Sequence, residues 1–344
     1  MRRLRCYNLP MRNFILAVAL LFGVIFIAGH FSEMERVWNT LQKGDWRFIL
    51  LGLLLAVAWL VNIALSYKKI FHAVGIDEKL TRLTILSAAS TFINTVAPSA
   101  GIGGMTIFIT DARQKGKSGA RTMVAGALYV IYDYLGFFLL LGLGLLVLFR
   151  RNNLSMTEII ASGILLLICG GMSFLLYLGF KSEEALADAL EWLARTGNRI
   201  YGLFSRKKER FSVEMARGFA HDAVEGIAEM RRSPTDLIYP FLLAISNKGI
   251  LLVIFYLMFQ AFQVPVSIGT LVAGTSLAYL FLIVSPTPSG VGVVEGILTL
   301  ALRSMFVPGN DALVITLAYR GVTFWFPLII GGLAFRWLGS PSTS

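Results

Sequence analysis

Four ionisable residues stand within apolar stretches of this sequence, where a charge is costly and therefore informative. Asp133, Lys248 and Arg320 fall near the middle of apolar runs, and Glu295 follows a Pro/Gly-rich break. A charge in hydrocarbon costs on the order of 3 kcal/mol, so each one needs a partner or a wet cavity. Two acids and two bases in one layer therefore predict either structural ion pairs, such as Asp133 with Arg320, or a site for a charged substrate.

Two Pro/Gly-rich breaks interrupt the apolar stretches that carry these charges. Proline removes a backbone donor and glycine weakens a helix, and such irregular backbone survives at membrane depth only beside protein or water. The break residues that we identify as site candidates are Pro98, Ser99, Gly101, Gly103 and Gly104 in the first, and Pro286, Pro288, Ser289, Gly290 and Gly292 in the second.

A helix that restarts after such a break presents free N–H groups and a partial positive charge to the midplane. Arg320 and Lys248 would add full positive charges suited to a phosphate. The sequence thus predicts a site for an anionic head group, most simply a lipid phosphate. Glu295 and Asp133 then become candidates for proton or cation coupling, because protonation changes the net charge of the site.

The composition assigns the chain to the membrane proteins. It has 344 residues, of which 56% are hydrophobic and 15% charged, against about 25% charged in soluble domains. The net charge of +11 arises from basic residues beside span ends, which indicates topology rather than a nucleic-acid partner. Six apolar segments approach or exceed the length of a membrane span, at 14–28, 48–65, 124–149, 159–180, 237–262 and 312–335.

The first apolar segment follows several arginines, yet no small-residue cleavage site comes after it. We therefore interpret it as a retained helix with a cytoplasmic N-terminus. Basic residues flank the stretch 83–109 on both sides, so both of its ends face the cytoplasm and it must enter and return. By parity, 268–305 forms a second re-entrant hairpin from the outside, and the C-terminus is cytoplasmic. These features predict a multi-pass protein of the prokaryotic cytoplasmic (inner) membrane.

Three sequence matches recur in order at an offset of about 188 residues. Phe71 matches Phe259, the break at Pro98 matches that at Pro288, and Tyr132-Asp133 matches Tyr319-Arg320. The predicted fold is an all-α polytopic protein in two inverted repeats, 1–150 and 151–344, each of span, span, re-entrant hairpin and span. The alternative is a chance resemblance between two Pro/Gly breaks.

The polar segment 181–236 lies between the fourth and the fifth of these apolar segments. Apolar residues such as Leu186, Leu190 and Leu193 recur at helical spacing, which predicts two amphipathic helices on the inner membrane surface. Arg206-Lys207-Lys208 could hold anionic lipid, although a solvated connector explains the segment equally well. We find no metal-ligand spacing and no phosphate loop, and we expect neither a metal nor another cofactor.

The residues of the second break also resemble a known family. Pro286-Thr287-Pro288-Ser289-Gly290-Val291-Gly292-Val293-Val294-Glu295 is similar to the Pro-x-Pro-Gly-Gly-x-Gly-x-x-Glu signature of the lysylphosphatidylglycerol synthase transmembrane-region family. The stretch from Asn94 through Arg113 is similar to that family's first-half motif, and Arg320 falls where the family keeps an arginine. The resemblance adds Arg113 to the candidate site and extends over most of the chain, with Ser289 a departure from the family's glycine.

The resemblance implies movement of lipids between leaflets. Aminoacyl-lipid synthases carry a soluble acyltransferase domain after their membrane part, and the chain stops at Ser344, so we expect no synthase activity. The favoured hypothesis is a flippase for an anionic or zwitterionic lipid, such as an aminoacyl-phospholipid, a polyprenyl-phosphate-linked lipid or a glycolipid. The alternative is an intramembrane transferase acting on a lipid-linked substrate. A lipid and the bilayer are the expected partners, and homo-oligomerisation is left open.

Overall fold

A computed structural model describes residues 31–96, 102–204, 213–230, 238–285 and 287–339. Every regular element in these ranges is helical. The helices are α1 (Phe31–Leu41), α2 (Trp46–Ala73), α3 (Leu80–Val96), α4 (Ile102–Gln114), α5 (Gly119–Arg150), α6 (Met156–Lys181), α7 (Glu183–Phe204), α8 (Val213–Met230), α9 (Ile238–Ala261), α10 (Ile268–Val284), α11 (Val293–Ser304), α12 (Gly309–Arg320) and α13 (Phe326–Gly339), with a 3-10 turn (Pro288–Gly290) before α11 and a π turn (Gly321–Trp325) joining α12 to α13.

Five helical segments are long and apolar enough to cross a membrane: α2, α5, α6, α9 and the continuous stretch Gly309–Leu338. They coincide with five of the six spans expected from the sequence, whereas the expected span at 14–28 lies outside the described residues. Large apolar side chains such as Leu139, Leu143 and Leu167 are exposed on these helices, as a lipid-facing surface requires. The chain is therefore a multi-pass membrane protein.

Helices α3 and α4 lie side by side across the first break. The backbone N–H of Gly104 donates to Asn94 Oδ1 over 2.7 Å, close to the break. At the far ends of the same two helices, Arg82 forms an ion pair of 2.6 Å with Asp111. Because α3 and α4 are in contact both near the break and at their far ends, they run antiparallel, and α4 ends at the same end of the bundle at which α3 begins.

Helices α10 and α11 make a second unit of the same kind. Gly274 in α10 faces Leu298 in α11, and both limbs end around one cavity. The 32-residue helix α5, about 48 Å long at 1.5 Å per residue, connects the open ends of the two units. Gly119, the first residue of α5, lies beside Arg113 of the first unit. Arg151, which follows the last residue of α5, donates to Thr270 of the second unit. The two units therefore open at opposite ends of the bundle.

The centre of the bundle is the contact between α2 and α9. Trp59 Nε1 donates to Asn247 Oδ1 over 2.9 Å, and Asn62 Nδ2 donates to Ser246 Oγ over 2.7 Å. Around this centre, α3 packs against α13 and α10 packs against α5. Each of these pairs joins one limb of a broken unit to a long helix of the other half of the chain.

The polar segment forms the two expected helices, α7 and α8, which pack on the end of the bundle where α5 begins. Leu186 is buried, whereas Leu193 is exposed. Glu225 of α8 forms an ion pair with Arg121 of α5, and this guanidinium lowers the pKa of the Glu225 carboxyl below its ordinary value. The basic triplet at 206–208 lies outside the described residues.

Candidate functional site

Asp133 and Lys248 form a buried ion pair between α5 and α9. Lys248 Nζ donates to Asp133 Oδ1 over 2.6 Å, and the hydroxyl of Tyr279 on α10 donates to Asp133 Oδ2 over 2.5 Å. The ammonium group also lies 3.7 Å from the centre of the Tyr279 ring. Lys248 is 3% and Asp133 8% exposed, so three helices share one neutralised, hydrogen-bonded cluster.

Glu295 and Arg320 form a second buried ion pair, which joins α11 to α12. Arg320 Nε donates to Glu295 Oε1, while Glu295 Oε2 accepts the backbone N–H of Gly292 over 2.7 Å. Arg320 Nη2 also donates to the carbonyl of Ser289 over 3.2 Å. With Arg320 only 1% exposed, this pair holds the second break against the last span.

This pairing differs from the example expected from the sequence, in which Asp133 pairs with Arg320. Asp133 extends from α5 toward Lys248, and Arg320 extends from α12 toward Glu295. Depth in a span can be read from residue numbers, but the partner depends on which neighbouring helix the side chain faces. Of the two outcomes expected for these charges, ion pairs or a wet site, the structure shows all four buried in ion pairs, and the example pair Asp133–Arg320 is not among them.

The second break is a tight turn of left-handed backbone. Ser289, Gly290 and Gly292 have φ values of 47°, 70° and 79°, and only glycine adopts this region without steric cost. Pro288 begins the 3-10 turn, and Pro286 lies outside the described residues. The N–H of Gly292 and the guanidinium of Arg320, both expected to attract an anion, are thus engaged by Glu295.

The described part of the first break lies beside the second. Val96, at the end of α3, shares an apolar cluster with Val291, and α3 contacts the 3-10 turn. Gly104 is buried against Ser90 and Asn94, and Gly103 precedes it in α4. Pro98, Ser99 and Gly101 lie outside the described residues. The flanks of the two breaks therefore meet.

Arg113, added to the candidate site by the family resemblance, lies elsewhere. It is exposed near the end of α4 and lies against Gly119 at the start of α5. The structure therefore does not bring Arg113 together with the two buried ion pairs.

Sequence reasoning missed several polar residues around Asp133. A narrow crevice beside this carboxylate is lined by Ser66, Tyr129, Tyr132, Pro240, Ala244 and Asn247. Tyr279 completes the partners of Asp133. Two signals pointed to this polar centre: Asn62 and Ser66 are one helical turn apart in an apolar span, and Asn247 adjoins Lys248.

A cluster of charged side chains lies at the end of the bundle where α3 begins and α4 ends. Lys115 and Lys117 approach the Glu78 carboxylate to 2.7 and 3.1 Å. Burial raises the pKa of Glu78, but hydrogen bonds from the two lysines outweigh it and hold the pKa below its ordinary value. Within the described ranges, no group of three potential metal-ligating side chains occurs here or elsewhere.

Comparison with known proteins gives a match over nearly the whole chain. The sequence profile of the lysylphosphatidylglycerol synthase TM region matches residues 14–331. A UPF0104 membrane protein of Pyrococcus horikoshii is 24% identical over 328 residues, which cover 93% of this chain and 94% of that protein. A UPF0104 membrane protein of Methanothermobacter thermautotrophicus is 22% identical over 333 residues, covering 95% and 94%.

Proposed function

Because the chain belongs to the lysylphosphatidylglycerol synthase transmembrane-region family, we propose that it is a flippase for an anionic or zwitterionic lipid. The observation that carries this proposal is the meeting of two oppositely opening helical units beside buried ion pairs. A lipid head group needs polar surroundings to cross the bilayer. Broken helices supply unpaired backbone N–H and C=O groups for this purpose, and such groups are tolerated at membrane depth only inside a protein.

In this proposal the two units are re-entrant hairpins within an inverted repeat. The backbone supports the repeat at two further positions. Gly75 and Gln263 both have positive φ after a helix end, with Ile76 N–H donating to Phe71 O and Val264 N–H donating to Phe259 O. These two helix ends stand at the offset of about 188 residues that also relates the sequence matches.

The ends of α4 and α11 provide the second match. Gly116 and Phe306 have φ values of 70° and 69°. Lys117 N–H donates to Ala112 O in the first half and Val307 N–H to Leu302 O in the second. The same helix end thus closes the returning limb of each unit, which favours duplication over chance resemblance between the breaks.

The paired charges suggest how a head group is bound. Arg320 is engaged by Glu295 and Lys248 by Asp133, so a lipid phosphate has to compete with a carboxylate for each cation. Protonating the carboxylate, or moving its helix, would free the cation to bind phosphate. We propose that the paired arrangement is the substrate-free state and that head-group binding separates at least one pair as the hairpins rearrange.

The orientation follows the basic residues. Arg82, Arg113, Lys115 and Lys117 gather where the first unit opens, and we assign this end to the cytoplasm. Both termini then face the cytoplasm, and the second hairpin opens to the outside of a prokaryotic inner membrane. The repeats comprise 1–150 and 151–344, and the six spans include 14–28.

An intramembrane transferase is the alternative. Such an enzyme needs a general base close to a nucleophile at a substrate-accessible face. The carboxylates of Asp133 and Glu295 are instead engaged with cations and backbone at buried positions, which favours binding and release over chemical change.

Purified protein in liposomes with a fluorescent phospholipid in one leaflet tests the proposal. We expect the lipid to change leaflet without chemical modification. Arg320→Ala should slow translocation at least about tenfold, because the lipid phosphate loses a charge-assisted hydrogen bond worth roughly 2 kcal/mol. Glu295→Gln should slow it as well, because it removes the carboxylate that reclaims Arg320 when the head group is released.

Glu184→Gln is the matched control, since it makes the same chemical change at an exposed position of α7, and it should translocate at the wild-type rate. Thermal melting of each variant separates a lost site from a lost fold. Wild-type rates in folded Glu295→Gln and Arg320→Ala would contradict the site, and a chemically modified lipid would favour the transferase.

A further inference from the structure

A cavity lies away from the buried ion pairs, at the end where α10 begins and α11 ends. Its volume is about 480 Å³, large enough for a phosphate-bearing head group. It sits at the opening of the second helical unit, so any occupant touches both limbs of that unit. The residues that line it are Arg151, Pro265, Val266, Ser267, Thr270, Met305, Phe306 and Val307.

Arg151 is the charged side chain of this cavity, and its partners are neutral. Its Nη1 donates to Thr270 Oγ1 and its Nη2 to Ser267 Oγ, each over 3.0 Å. Within the described ranges no carboxylate lies within ion-pair distance of this guanidinium, in contrast to Lys248 and Arg320. The two hydroxyls orient the guanidinium and leave its positive charge uncompensated, as a site for an anion requires.

The surroundings of Arg151 are apolar and exposed. Phe306 is 91% exposed and Ile268, next to Ser267, is 80% exposed. An aromatic side chain at the level of lipid head groups packs against the upper part of acyl chains. A guanidinium flanked by such side chains suits a ligand that carries both a phosphate and hydrocarbon chains.

We propose that this Arg151 cavity binds the phosphate of an anionic lipid from the leaflet at this end of the bundle. This proposal rests on the proposed function: the cavity is the docking site at which a lipid head group binds beside the second hairpin before translocation. The same chemistry would serve a free phosphate ion, and the apolar rim favours the lipid.

Lipid retention tests the inference. The full chain is reconstituted in vesicles of phosphatidylglycerol and phosphatidylcholine and extracted, and the bound lipid is counted by native mass spectrometry. We expect wild type to retain phosphatidylglycerol selectively and Arg151→Gln to reduce retention at least about tenfold, because a charge-assisted hydrogen bond to phosphate is lost. Arg151→Lys, which keeps the charge without the bidentate geometry, should retain an intermediate amount.

Arg150→Gln is the matched control, because Arg150 is the exposed neighbour at the same end of α5, and it should retain lipid as wild type does. Equal loss in both glutamine variants, or no loss in Arg151→Gln, would overturn the site. An added arm with inorganic phosphate identifies the ligand: if phosphate ions bind through Arg151 and phosphatidylglycerol does not, the lipid assignment is wrong.

The test is independent of transport. Retention and translocation are measured on the same preparation, so a loss of one can be told from a loss of the other. Arg151-dependent retention in a wild-type protein that moves no lipid would refute the proposed function and leave the docking site standing.

Discussion

Lys248 and Arg320 are almost fully buried, and each is held by a carboxylate from another helix. A buried pair adds little stability compared with apolar side chains of the same size, whereas an unpaired buried charge is strongly destabilising. Residues kept at such a cost are commonly functional when they lie within membrane spans. Removing one partner of a pair should therefore cost more stability than replacing both, and this difference can be tested with single and double variants.

Lys248→Met leaves the Asp133 carboxylate with the hydrogen bond from the Tyr279 hydroxyl and without its counter-ion. We expect a loss of about 3 kcal/mol in stability, because a charge remains buried without its counter-ion. The double variant Asp133→Leu/Lys248→Met should recover most of that loss. Thermal melting in detergent measures both, and a double variant that is less stable than Lys248→Met would contradict this account.

At this scale the sequence identified the charges and not their partners. An isolated Asp, Lys, Glu or Arg in an apolar run is visible without any structure, because the energetic cost is local. The role of Tyr279, whose hydroxyl donates to Asp133, depends on how α10 is rotated toward α5. Tyrosine is common in membrane helices, so its type alone carried no signal.

The broken units are the elements on which the site depends. In the second unit, Glu295 caps the start of α11 through the Gly292 N–H, and Arg320 holds the Ser289 carbonyl. The turn is therefore fixed from both sides by the buried ion pair. The left-handed backbone at positions 289, 290 and 292 also explains the glycine pattern, and Ser289 stands in backbone that favours glycine.

Two glycines of this turn differ in what surrounds them. A Cβ added at Gly290 would lie 2.5 Å from Val294 Cγ2 and 3.2 Å from Leu282 Cα, whereas one at Gly292 would meet nothing within 4 Å. Both have positive φ, which costs an L-residue about 1 kcal/mol. We expect Gly292→Ala to lose about that amount and Gly290→Ala to lose roughly 2–4 kcal/mol through added overlap.

Thermal melting of the two alanine variants beside wild type measures this difference. The order is the critical result, because backbone strain is common to both positions and only the packing differs. A Gly292→Ala protein less stable than Gly290→Ala would mean that the turn has a different shape.

For the whole molecule, the opposite openings of the two units carry the proposal of alternating access. The side of the membrane on which each unit opens can be measured with single cysteines at exposed positions, in vesicles treated with a thiol reagent that does not cross membranes. In a background with Cys6→Ser and Cys169→Ser, we expect Gln114→Cys at the end of α4 to label from one side. Ser304→Cys at the end of α11 should label from the other, because α5 separates the two openings by the length of a span.

Two further positions calibrate the labelling. Arg150→Cys, at the end of α5, should follow Ser304→Cys, and Lys181→Cys, at the end of α6, should follow Gln114→Cys. Labelling of Gln114→Cys and Ser304→Cys from the same side would rule out oppositely directed hairpins.

The spans themselves followed from hydropathy, since burial in lipid is a property of one segment at a time. The segments 48–65 and 124–149 correspond to parts of α2 and α5. The packing of α2 on α9, through Trp59 and Asn247, could not be predicted, because helices in lipid associate through specific fits between faces. The polar residues of that contact appeared in the sequence as isolated interruptions.

The matched pairing of the buried charges also bears on the response to voltage. Each buried cation faces one carboxylate, so the two pairs together contribute no net charge. Moving one elementary charge through 100 mV changes the energy by about 2.3 kcal/mol, but a pair that separates for head-group binding and closes again on release moves no net charge over the whole cycle. The electric field then acts on the cargo: carrying a monoanionic lipid across is electrogenic, and carrying a zwitterionic one is electrically silent.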